Sequence, residues 1–356
     1  MSTVRYFGRI NTTAAQTHEH EPIHVRGQSV PAIFIFGDSV VDNGNNNQIA
    51  TVVKSNFPPY GRDFTNHEPT GRFCNGRLVT DIIAEDYIGF NSYPPAYLTE
   101  KARGRNLLNG TNFASAGSGY YEQTAELNLV VSLNKQLDNY YDYQAKLVEI
   151  IGESNASSIF SDALYIVSTG SSDFIQNYYI NPVLQSVYTT NQFFIILLRN
   201  YAEFITNLHG MGARKIGVTT LPPLGCLPAA ITLFGLGSNQ CIEKFNNDAI
   251  SFNRRLNRTS ENLRNRLPNL NLVVLDVYQP LYDLITNPVE HGFSEARKGC
   301  CGTGLLETSI LCNELSIGTC SNASEYIFWD AFHPTEAANK ILADSLIKAG
   351  SSLIYR

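Results

Sequence analysis

The run Ala32-Ile33-Phe34-Ile35-Phe36 is apolar at every position and stops at Gly37-Asp38-Ser39. A strand with one wet face alternates polar and apolar residues. An unbroken short run instead reads as a strand covered on both faces, the situation of a parallel sheet between layers of helices. The same pattern returns at residues 164–167 before Gly170, at 215–219 before Leu221-Pro222-Pro223, and at 270–275 before Asp276. Between these runs lie longer stretches with helical spacing, notably 192–208 and 242–263, as crossovers between parallel strands require. The chain is therefore expected to be α/β with a central parallel sheet, and no internal repeat of fixed period is visible.

With 356 residues, 43% hydrophobic and 16% charged, the chain can bury a large core. No Pro/Ser linker divides it, so one domain is expected over 30–356, preceded by a disordered polar segment, 1–29. Residues 1–28 contain no apolar core of the kind a signal peptide needs. His18-Glu19-His20-Glu21-Pro22-Ile23-His24 within that segment has metal-binding side chains but reads better as a polar tail. The net charge of −6 and the scattered Lys and Arg leave no electrostatic footprint for nucleic acid. No apolar stretch has the length of a membrane span.

Ser39 stands directly after the first apolar run, where open α/β sheets place their ligands. By itself Gly-Asp-Ser suits a helix cap equally well. Nearly three hundred residues later comes Asp330-Ala331-Phe332-His333-Pro334. A serine hydroxyl needs an imidazole to take its proton, and the imidazole needs a carboxylate to fix its tautomer and stabilise its cation. Asp330 and His333 are close enough in sequence for one local turn to join them. Pro334 suits the first turn of a helix whose apolar residues, Ala338, Ile341, Leu342, Leu346 and Ala349, recur before Gly350. Alone, Asp330 would pass for a turn residue and His333 for a half-buried core histidine.

Four ordered blocks carry a resemblance. They are Phe34 to Ser39 with Asp42-Asn43-Gly44-Asn45-Asn46, then Asn112-Phe113-Ala114-Ser115-Ala116-Gly117-Ser118-Gly119, then Gly170-Ser171-Ser172-Asp173, then Asp330 to His333. Together they resemble the plant GDSL esterase/lipase family of SGNH hydrolases over about 30–349. The resemblance implies a flavodoxin-like three-layer α/β/α sandwich, serine esterase chemistry on acyl esters or lipids, and no metal or organic cofactor. It makes Ser39 the nucleophile, His333 the general base and then acid, and Asp330 its orienting partner. The implied oxyanion hole uses the N–H of Ser39, a backbone N–H from the second block, and a side-chain donor from the third. Gly119 is the choice in the second block, with Gly117 second, because a glycine lets the backbone approach the oxyanion closely. In the third block the family pattern Gly-x-Asn-Asp is replaced by Gly170-Ser171-Ser172-Asp173, so Ser172 offers a hydroxyl where a carboxamide is expected. A hydroxyl can donate but is shorter and free to rotate.

Two other functions use the same residues: an acyltransferase passing the Ser39-bound acyl group to an alcohol, and a catalytically weakened relative, motivated by Ser172, that binds acyl or glycosyl ligands. The stretch Asn43 to Asn47 reads as a polar rim of the site. Tyr93-Pro94-Pro95-Ala96-Tyr97 offers either walls of an acyl groove or core.

Among the seven cysteines, Cys226 and Cys241 bracket a short segment, and Cys300, Cys301, Cys312 and Cys320 cluster in a loop region. Metal-type Cys-x-x-Cys spacing is absent, so loop-stapling disulfides are expected, with Cys74 left as the free thiol. Asn-x-Ser/Thr sequons at Asn109, Asn155, Asn257 and Asn322 agree with a secreted, oxidising destination. A monomer is expected.

Overall fold

A computed structural model describes residues 30–355. The expected disordered segment 1–29, with its His18–His24 run, lies outside the described residues. Five parallel strands form the main sheet: β1 (Ile33–Gly37), β2 (Gly110–Asn112), β3 (Leu164–Ser168), β4 (Lys215–Thr219) and β5 (Asn271–Leu275). Their order is β2-β1-β3-β4-β5, that of flavodoxin-like doubly wound sheets. Register runs Ile33 opposite Leu164 through Gly37 opposite Ser168, so β1 and β3 end level with each other.

Alternation sorts the strand side chains onto two faces. Phe34, Phe36, Tyr165, Val167, Ile216, Val218 and Leu272 enter one core. There they meet α2 (Leu133–Ile151), α3 (Thr190–Gly210) and α4 (Glu243–Arg266). Ile33, Ile35, Leu164, Ile166 and Leu275 enter the other. This face is covered by α1 (Val79–Ile82), continued by a wider π-helical turn over Ile83–Ile88, and by α6 (Glu336–Ala349). α5 (Tyr278–Thr286) follows β5. The result is the three-layer α/β/α sandwich that the family resemblance implies, built on the parallel sheet expected from the apolar runs.

The strand ends agree with the sequence reading to within one residue. The exception is β2, which sequence reasoning missed: Gly110, Thr111 and Asn112 carry no apolar signal although all are buried. Also missed was a small parallel pair, β6 (Glu295–Gly299) with β7 (Tyr326–Phe328). The helix after His333 starts later than expected. Thr335 is its N-cap, its hydroxyl accepting from the Ala338 N–H, and Pro334 lies outside it. Gly350 ends it as expected.

Three disulfides staple the loops: Cys226–Cys241, Cys300–Cys320 and Cys301–Cys312. Cys74 is the free, buried cysteine among the described residues. Of the sequon asparagines, Asn155, Asn257 and Asn322 are exposed. No helix among the described residues is long and apolar enough to cross a membrane.

Candidate active site

Ser39 sits two residues past the end of β1, at the switch point where the strand order reverses. No helix begins there, so the capping alternative is not realised. Gly37 makes the turn possible. Its φ is +145°, and a Cβ would fall 1.9 Å from the Ser168 carbonyl oxygen at the end of β3. Any side chain there would break the sheet or move the serine. The Asp38 N–H donates to the same Ser168 carbonyl, 3.0 Å, and the turn closes through Asp42 N–H to the Asp38 carbonyl, 3.0 Å. Among the described residues the Ser39 N–H meets no acceptor, unlike those of Asp38, Val40, Val41 and Asp42.

Gln136 of α2 grips this turn from behind. It is fully buried; its Oε1 accepts from the Gly37 N–H at 2.9 Å, and its Nε2 donates to the Gly37 carbonyl at 2.9 Å. Nothing in the sequence marked it, because a glutamine on a helix is unremarkable until its partner is known. We expect Gln136→Leu to leave the Gly37 N–H buried and unpaired. The cost is about 1–3 kcal/mol of stability, read from thermal or urea melts, together with a fall in turnover greater than the melt alone explains.

His333 arrives from the other end of the chain. Its Nε2 lies 2.7 Å from Ser39 Oγ, and its Nδ1 lies 2.7 Å from Oδ1 and 2.8 Å from Oδ2 of Asp330. The local turn expected from the three-residue spacing is present: the backbone N–H groups of Phe332 and His333 both donate to Asp330 Oδ1, each at 2.9 Å. Asp330 Oδ2 accepts from Tyr60 Oη at 2.8 Å and from Thr308 Oγ1 at 3.0 Å. Burial pushes the Asp330 pKa up. The charge and hydrogen bond of His333, with the two backbone donors, outweigh that and hold it below the usual aspartate value. The carboxylate is therefore kept ionised beside the imidazole. Tyr60 and Thr308 were not foreseen, since each lies in a different loop. Thr308 belongs to the loop stapled by Cys300–Cys320 and Cys301–Cys312.

Ser172 precedes the π-helical turn Asp173–Tyr178, and its side chain caps no backbone N–H there. It borders the same cavity as Ser39 and His333, whereas neither Gly117 nor Gly119 does. Gly119 is seated on the Asp173 carboxylate: a Cβ would fall 2.1 Å from Oδ1. Asp173 also accepts from the N–H groups of Tyr120 and Tyr121 and from the Thr124 hydroxyl. The second and third blocks are thus tied together through a buried acid whose pKa burial raises to about 7, those donors opposing the rise. The Gly117 and Gly119 N–H groups have no acceptor among the described residues.

The asparagine-rich stretch is not a rim, contrary to the sequence reading. Asn45 and Asn46 are buried. Asn45 Nδ2 donates to the carbonyls of Asn112 and Ala114, and Asn46 Nδ2 to that of Ala116. Asp42 completes the brace, taking the N–H groups of Gly44, Asn45 and Ala116. Side-chain amides here do what a longer β2 would have done, fixing the loop beyond that short strand to the nucleophile turn. Tyr93 and Tyr97 also stay away from the cavity. Tyr93 donates to Glu85, and Tyr97 packs on Phe113.

No group of His, Cys, Asp and Glu among the described residues has the arrangement of a metal site. The assembled groups suit proton transfer from a serine hydroxyl, with an ionised carboxylate behind the base.

Comparison with known proteins adds an independent finding. The GDSL-like Lipase/Acylhydrolase family matches residues 33–346. In Arabidopsis thaliana, GDSL esterase/lipase At5g22810 is 65% identical over 328 residues, covering 91% of this chain and 90% of the relative. GDSL esterase/lipase At5g03810 is 59% identical over 326 residues, 91% and 92% of the two chains. GDSL esterase/lipase APG is 55% identical over 328 residues, 92% and 93%.

Proposed function

The chain belongs to the GDSL-like lipase/acylhydrolase family, and from that premise we propose that it is a carboxylic ester hydrolase in which Ser39, His333 and Asp330 work as one unit. The observation that carries this is the unbroken line from Ser39 Oγ through both ring nitrogens of His333 to a buried, ionised Asp330. His333 Nε2 takes the hydroxyl proton as Ser39 Oγ attacks the ester carbonyl, and Asp330 stabilises the imidazolium. The tetrahedral intermediate collapses as the same proton passes to the leaving alkoxide, releasing the alcohol and leaving the acyl group on Ser39. Water, deprotonated by His333, then attacks the acyl-enzyme; the carboxylic acid leaves and Ser39 regains its proton.

The developing oxyanion is held by the Ser39 N–H, by the N–H of Gly119 in the adjoining loop, and by the Ser172 hydroxyl. The absence of an acceptor for the Ser39 N–H among the described residues and the position of Ser172 on the cavity support this reading. Because Ser172 has no capping bond to give up, its hydroxyl is free to turn toward the oxygen. Ser172→Ala is expected to lower kcat about 10-fold or more, since hydrogen bonds to charged groups are worth about 1.5–3 kcal/mol. KM for a short aryl ester should change little. Steady-state kinetics would remove Ser172 from the hole if kcat did not move.

The three disulfides and three exposed sequon asparagines support a secreted protein. The test of the hydrolase reading is labelling by a small fluorophosphonate. One adduct should form, at Ser39, with parallel loss of hydrolysis; an unlabelled Ser39 would refute it.

A further inference from the structure

Below Ser39 and His333 lies a cavity of about 110 Å³. It does not follow the surface. It descends between the sheet and the layer formed by α1 and α6, and its inner walls are Val41, Ile83, Ile166, Leu275, Leu342 and Leu346. A second, smaller void shares Ile83, Ile166, Leu275 and Leu346 with it and continues the line toward Leu164 and Ile354. The polar groups, Ser39, Ser172 and His333 among them, gather at the strand-end mouth, while the deep walls are aliphatic.

We propose that this channel holds the acyl chain of the ester and that Leu346 and Ile83 set its preferred length, a reading that rests on the serine hydrolysis proposed above. The alcohol leaves after receiving a proton from His333 and so must reach solvent. The acyl group stays bonded to Ser39 until water attacks and needs an enclosed place to lie. Leu, Ile and Val offer no hydrogen bonds to a sugar or a hydroxylated acid, and the deep walls contain no aromatic ring on which a planar acid could stack. An unbranched aliphatic chain is the ligand that matches. Ser168 lies at the level of the mouth, Ile166 two residues inside and Leu164 four. At the rise of a β-strand these depths are roughly 7 and 13 Å, within reach of medium-length chains. Leu342 and Leu346 stand one turn apart on α6, whose N-cap Thr335 lies two residues after His333, so the loop that carries the base leads directly into the helix that forms this wall.

The experiment compares kcat/KM for 4-nitrophenyl butyrate, octanoate and laurate. Wild-type protein should prefer the octanoate to the butyrate. Leu346→Phe fills the deep wall and should lower the octanoate-to-butyrate ratio at least 10-fold, and Leu346→Ala should raise the laurate-to-octanoate ratio several-fold. Ile83→Phe, on the neighbouring element of the same helical layer, should reproduce the first effect and stands in if Leu346→Phe does not fold. Fluorophosphonate labelling of the wild-type Ser39 separates the two readings. Labelling with unchanged length ratios in Leu346→Ala and in either Phe variant overturns the channel alone; no labelling overturns the hydrolase reading first.

Discussion

Ser39→Ala is expected to lower ester turnover by roughly 10⁴–10⁶-fold while leaving the melting temperature nearly unchanged. The size of the effect follows from the arrangement: without Oγ there is nothing for His333 Nε2 to deprotonate, and what remains is whatever the oxyanion donors do for direct attack by water. The fold is spared because the turn is held by backbone and by Gln136, not by the serine hydroxyl. His333→Ala should cost a similar amount, and the double variant should be scarcely worse than either single one, because the residues act as a unit. Rates for the three variants against one short aryl ester check this. Additive losses would mean that Ser39 and His333 serve separate steps.

Asp330→Asn should reduce kcat by about 10²–10⁴-fold with a smaller change in KM. The substitution removes the negative charge that lies 2.7 Å from the imidazole. Two backbone N–H groups face Oδ1, so the amide oxygen of the variant belongs on that side. Its NH₂ then takes the position of Oδ2, against the hydroxyls of Tyr60 and Thr308, which can rotate to accept, but also 2.8 Å from His333 Nδ1. There it competes with the Nδ1–H tautomer that the base requires. Steady-state kinetics combined with imidazole ¹⁵N shifts would separate lost charge from a wrong tautomer. Unchanged turnover would exclude Asp330 from the catalytic unit.

How far the sequence reveals these features depends on the range of the interactions that make them. Strands β1, β3 and β4 are fully or largely buried and β5 buries Leu272 and Leu275, and all four announce themselves as apolar runs. The turn from Asp330 to His333 is local and readable from spacing. β2 is short and polar, and it holds its place because Asn45 and Asn112 bond to backbone across the loop. Gln136 is 99 positions from Gly37, and Tyr60 is 270 positions from Asp330; such pairs have no local signature. The asparagine stretch misled for the same reason, since polar side chains suggest solvent until their buried partners are known. Disulfide-forming cysteines are legible because a bridge needs only two residues of one kind, although the pairing within the Cys300–Cys320 cluster is not, and the channel under Ser39 is not, since its walls come from five separate stretches of apolar residues.

Ser39 and His333 are 294 positions apart, and α6 is almost the last element of the chain. A ribosome therefore delivers the nucleophile 294 residues ahead of its base. Throughout synthesis the growing chain holds a serine without a base and, with α6 still missing, a sheet face without one of its covering helices. Because domains fold as units, competence for hydrolysis arrives only after the segment carrying His333 and α6 has been made, and a polypeptide truncated before His333 lacks the base altogether.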